Sequence, residues 1–81
     1  MDKNLEDARV ESYAGHKGDE TPRAVILEGK RFAVLNIISR KRALDRASGK
    51  MADIWVCRLD DGRAMTVELL EDGAWRVSAA A

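Results

Sequence analysis

The stretch Asp53-Ile54-Trp55-Val56-Cys57-Arg58-Leu59-Asp60-Asp61-Gly62-Arg63-Ala64-Met65-Thr66-Val67-Glu68-Leu69-Leu70-Glu71-Asp72-Gly73-Ala74-Trp75-Arg76-Val77 decides the fold class. Trp55, Cys57 and Leu59 alternate with Ile54, Val56 and Arg58, the period of a strand with one face in a core. Asp60-Asp61-Gly62-Arg63 then supplies an Asp-Gly turn, and Met65, Val67 and Leu69 alternate on the return strand. A second turn at Glu71-Asp72-Gly73 leads to Trp75 and Val77 on one face with Arg76 on the other. The C-terminal third is thus a three-stranded meander that sends both tryptophans inward.

Working toward the N-terminus, Arg23 to Leu27 is an apolar, β-branched run closed by a hairpin-type turn at Glu28-Gly29-Lys30. The next segment, Arg31 to Ile38, has a mixed period. Phe32 and Val34 alternate as in a strand, while Val34, Ile37 and Ile38 also match helical spacing. A strand with a bulge near Leu35-Asn36 returns Ile37 or Ile38 to the buried face; a helix over 33–47 is the alternative. Val10 to Tyr13 is a short β-prone run, followed by an exposed loop from Ala14 to Pro22 with two glycines, two acids and a proline. The expected fold is mainly β: a small antiparallel barrel or roll of about five to six strands, with a short helix within 33–47 as the variant. A frayed N-terminus (1–8), one β domain (9–78) and a frayed C-terminus (79–81) complete the organisation.

Length and composition narrow the function. With 81 residues the chain has material for one core, and folding hides only about 60% of such a chain's surface. A large internal substrate chamber is therefore not expected. The single cysteine cannot form an intramolecular disulfide, the first residues have no apolar stretch of a secretory signal, and no run approaches a membrane span. A cytoplasmic protein without membrane contact is the simplest expectation; the sequence leaves the oligomeric state open, with a monomer slightly favoured.

The 14 basic and 14 acidic side chains cancel, but unevenly. Residues 21–50 hold eight basic and two acidic groups, a net of +6 between two segments of −3. Lys30, Arg31, Arg40, Lys41, Arg42, Arg46 and Lys50 form the candidate anion-binding set, for nucleic acid or an acidic protein. The same residues also read as a solvated, charged loop. Phe32, Trp55 and Trp75 fall on core faces, which leaves Tyr13 for base stacking. Tyr13, Lys17 and Arg23 make a second candidate surface around the 14–22 loop, where Gly15, Gly18 and Pro22 have a backbone role as the competing explanation. An open strand edge is a further way to bind a protein.

Catalytic chemistry finds little support. His16 is the one histidine, so a triad would need it to meet Cys57 across the fold, and Cys57 alternates in phase with core residues. Two Cys or His residues do not make a structural zinc site. The carboxylate pairs Asp19-Glu20, Asp60-Asp61 and Glu71-Asp72 sit in turns, which use Asp for backbone geometry. No phosphate-binding glycine loop occurs. A noncatalytic binding module without metal or cofactor is expected.

Three pieces of the chain together carry a resemblance: Val10 to Arg23, the Val34-x-x-Ile37-Ile38 run, and Trp55 to Arg63 continuing to Gly73-Ala74-Trp75. They resemble a family of small uncharacterised bacterial cytoplasmic proteins, members of which are also fused to the C-terminal end of some Y-family DNA polymerase-like proteins. The likeness spans roughly residues 10–77 and implies a β-rich fold with no established activity. The chain departs from that pattern after the Val-x-x-Ile run, where Arg40-Lys41-Arg42 stands in place of an aromatic residue.

Overall fold

A computed structural model of the chain describes residues 7–14 and 20–80. Six strands run in sequence order: β1 (Arg9–Ala14), β2 (Glu20–Leu27), β3 (Lys30–Asp45), β4 (Lys50–Leu59), β5 (Ala64–Leu70) and β6 (Trp75–Ala79). Each pairs antiparallel with its neighbour in one sheet of order β1-β2-β3-β4-β5-β6. The sheet curls into a half-barrel, the shape expected from strands that each hide one face. No helix forms over 33–47; all of that segment up to Asp45 is β3. The sheet also runs past the expected 78 boundary, since Ala79 pairs with Met65 and the Ala80 N–H donates to the Ala64 carbonyl at 3.3 Å.

The turns follow the residues that make them. Glu28 and Gly29 both have positive φ (50° and 80°), as a two-residue type I′ hairpin loop requires. The β4–β5 and β5–β6 connections are twins. In each, the glycine N–H donates to the residue three before it, Gly62 to Leu59 at 2.9 Å and Gly73 to Leu70 at 2.8 Å. The strand-end pairs close the loops through Leu59 N–H to Arg63 O (2.8 Å) and Leu70 N–H to Ala74 O (2.9 Å). Gly62 and Gly73 have φ of 93° and 94°, the left-handed residue of a three-residue hairpin loop with a bulge. In both turns the Asp carboxylate accepts from the backbone N–H two residues on, Asp61 from Arg63 and Asp72 from Ala74.

Alternation places the core as expected. Val25, Leu27, Trp55, Cys57, Leu59, Met65, Val67 and Val77 form a buried cluster, with Val10, Phe32, Val34, Ile37, Leu69 and Trp75 packed against it. Trp55 is 1% exposed and its ring lies 5.8 Å from that of Trp75, tilted by 31°. Each fully buried large side chain contributes roughly 1.5–3 kcal/mol.

The face opposite Trp55, Val67 and Val77 carries a second tie. Arg76 on β6 donates to Asp45 at the end of β3 (2.9 Å) and lies 3.3 Å from its cross-strand partner Glu68. Asp45 in turn accepts from the Ser48 N–H and hydroxyl (3.1 and 2.6 Å), which fixes the β3–β4 turn. These donors, Arg76 first, hold the Asp45 carboxyl down at about 2. The same ion pairs push the Arg76 guanidinium pKa up, Asp45 contributing most.

Candidate functional site

Among the described residues β3 is the longest strand, 16 residues, and two bulges interrupt its register with β4. Its first residues, Lys30 to Ala33, pair with β2. From Val34 to Asp45 it pairs with β4, and the register skips Leu35 and Ile38. Both skipped residues are apolar yet open to solvent, at 64% and 47%, whereas Ile37 between them packs against the core. The bulge anticipated near Leu35-Asn36 is therefore present at Leu35, and a second lies at Ile38.

β2 does not follow β3 past Ala33. Its own register slips opposite Glu11/Ser12, leaving Arg23 as the extra, exposed residue, and β2 continues along β1 to Glu20. Over residues 34–45, β4 is therefore the single strand partner of β3 among the described residues, and no described strand pairs with the other edge of β3. Residues 38–42 are exposed in an unbroken row, so neither face of the strand is covered there. Such an edge presents unpaired N–H and C=O groups at alternate residues. Among the described residues, three of the four large exposed apolar side chains, Leu35, Ile38 and Leu44, lie on this strand; the fourth is Tyr13.

The candidate cations do not share one face. Arg40, Arg42 and Leu44 stand opposite Trp55, Asp53 and Met51, on the face that carries Trp55, while Lys41 stands opposite Ile54 on the other face. The Arg40 guanidinium lies over the Trp55 ring, 5.5 Å from its centre, and Arg42 meets Asp53 at 3.2 Å while remaining 60% exposed. Arg46 is exposed in the following turn, and Lys50 is ion-paired with Asp72. Lys30 and Arg31 are at the far end of β3, where Arg31 pairs with Glu11 at 3.0 Å. Tyr13 stands opposite Thr21 at the end of the β1–β2 pair, and Lys17, like His16, lies outside the described residues.

The groups weighed for catalysis have structural partners. Cys57 is fully buried, and loss of hydration pushes its thiol up to about 11. Asp61 is held below the usual carboxylate range by the Arg63 backbone N–H and then its side chain, and Asp72 by the Lys50 ammonium and then the Ala74 N–H. Glu71 accepts from the Met51 N–H at 2.7 Å, tying β5 to β4. An open recess of about 220 Å³ lies between Glu20, Arg42, Asp53 and Leu69, where Glu20 accepts from the Ser12 hydroxyl at 2.7 Å. Among the described residues no group of three or more His, Cys, Asp or Glu is placed to hold a metal ion, and no helix is long and apolar enough to cross a membrane.

No family model, curated protein or solved structure matches the chain. The site is thus defined by its own geometry. Sequence pattern located the cations, but the edge apolar residues were not singled out as a site. The signal for them was present in Leu35 and Ile38, which fit neither the buried nor the exposed phase of β3.

Proposed function

We propose that the protein is a noncatalytic binding module that takes an extended segment of another protein onto the open edge of β3. The observation that carries this is the divergence of β2 after Ala33, which leaves residues 34–45 paired on one side only, with Leu35, Ile38 and Leu44 exposed along it. Adding a strand satisfies the edge's backbone groups and covers its apolar side chains, the two terms that drive β-augmentation. Charge adds a preference. Arg40, Lys41 and Arg42 at the middle of the edge attract an acidic partner and oppose self-pairing, because antiparallel pairing of two copies centred there sets cation against cation.

A polyanion such as nucleic acid is served less well. Arg31, Arg42 and Lys50 already face carboxylates, and strand alternation divides Arg40 and Arg42 from Lys41. A noncatalytic role is supported by the burial of Cys57 and by the use of Asp61 and Asp72 in turns. The resemblance to a family whose members are also fused to Y-family DNA polymerase-like proteins fits a module that works by attachment to other proteins.

The test places a photo-crosslinking residue at Ile38 or, as control, at Arg58 in the full chain, followed by nuclease treatment and purification. A protein adduct formed from position 38 and not from 58 is expected. Salt-sensitive binding of single- or double-stranded oligonucleotides, lost when Arg40, Lys41 and Arg42 become alanine, would instead establish nucleic-acid contact.

A further inference from the structure

We infer that the β3 edge selects an extended segment with one acidic side chain followed, two and four residues later on the same face, by apolar side chains. This rests on the strand-edge function and specifies its partner. Lys41 stands opposite Ile54 and Ser39 opposite Val56, on the face away from Trp55 and Cys57. The bulges add apolar groups to that same face. At each, two residues of β3 stand against one of β4: Ile38 with Ser39 against Val56, and Leu35 with Asn36 against Arg58. Residues directly opposite in a sheet share a face, and each pair of neighbouring strands in this sheet is antiparallel. A strand added in that order meets Lys41 first, then Ile38 with Ser39, then Leu35 with Asn36. Its pattern is acid-x-apolar-x-apolar.

Charge singles out Lys41 among the cations of this stretch. It is exposed and has no ion pair among the described residues. Two acids of its own face, Glu68 and Asp45, are both engaged by Arg76, so an incoming carboxylate does not displace them. Its neighbours on the other face are already occupied, Arg42 by Asp53 at 3.2 Å and Arg40 by the Trp55 ring, 5.5 Å away at its centre. The apolar half of the pattern answers Ile38 and Leu35, 47% and 64% exposed, with half-buried Ile54 and Val56 beside them on β4. Covering these side chains removes apolar surface from water, while the Lys41 contact fixes register and face.

The probe is the labelled peptide Thr-Glu-Thr-Ile-Thr-Ile-Ser, titrated against the full chain by fluorescence anisotropy. Saturable binding is expected, weakened about two- to fivefold by Lys41→Gln. The peptide Thr-Thr-Glu-Ile-Thr-Ile-Ser has the same composition and charge but moves the acid to the other face. It must bind the unaltered protein more weakly than the parent, as must a peptide with Gln for Glu, and neither comparison depends on how a variant folds. The Gln peptide must also be insensitive to Lys41→Gln. Equal binding of the moved-acid or Gln peptide, no effect of Lys41→Gln, or no saturable binding overturns the pattern. Peptides N-methylated at alternate backbone positions separate the two claims. If one N-methylated series loses binding while the moved-acid and Gln peptides do not, edge docking stands and the pattern falls. If both N-methylated series bind like the parent, edge docking itself is wrong. A dimer that the peptide dissociates would make a second copy the occupant and overturn the acidic-partner assignment.

Discussion

Two adjacent isoleucines in β3 should behave in opposite ways when cut back to alanine. Ile37 packs against the buried cluster, whereas Ile38, the bulge residue, is 47% exposed at the open edge. Removing a core isoleucine costs about 2–5 kcal/mol, and partial burial puts Ile37 at the lower end, about 2 kcal/mol. Ile38→Ala forfeits little burial and some strand preference, about 0.5 kcal/mol. Urea unfolding followed by the fluorescence of Trp55 and Trp75 reads the difference. With a slope of about 1 kcal/mol/M for a chain this small, the Ile37 variant should lose about 2 M in midpoint and the Ile38 variant about 0.5 M. Because total stability at this size is only a few kcal/mol, Ile37→Val, at about 1 kcal/mol, gives a second reading on a folded protein. An Ile38→Ala cost equal to or above that of Ile37→Ala would refute the bulge register and the open edge that follows from it.

Glu28 occupies a left-handed position (φ 50°) that asparagine tolerates better, so Glu28→Asn should raise stability by about 0.5–1 kcal/mol in urea titration. The buried Cys57 thiol, with its pKa near 11, should resist alkylation at pH 8 in the native protein and react once urea unfolds the chain. Asp45 has a folded pKa of about 2 against an ordinary 3.8, so the folded state releases its proton more readily than the unfolded chain. Its contribution is therefore complete above about pH 5 and fades as pH falls toward 2. The stability gap between the protein and Asp45→Asn, measured by thermal melts across that range, should narrow on acidification; a constant gap would mean that the Arg76 tie does not act through charge.

What was legible in the sequence followed from how local its cause was. The alternation from Trp55 to Val77 and the two Asp-Gly turns are set by neighbouring residues, and the structure has them as expected. The 33–47 segment was ambiguous because two bulges insert Leu35 and Ile38 into β3, and each extra residue resets the phase and imitates helical spacing. The open edge was invisible for another reason. It arises where β2 leaves β3 after Ala33, next to the slip at Arg23 against β1, and no pattern within residues 34–45 announces it. The cation cluster was visible as composition, but its division between faces needed the register. The Arg76–Asp45 tie joins residues far apart in sequence and had no local signal.

Amide hydrogen exchange along β3 tests the open edge most directly. Residues 36–45 should show alternating protection, slow where the N–H points to β4 and fast where it points away, while β4, paired on both sides, is slow throughout. Uniform slow exchange over 36–45 in the isolated protein would mean that the edge is already covered, and the binding function assigned to it would have no place to act.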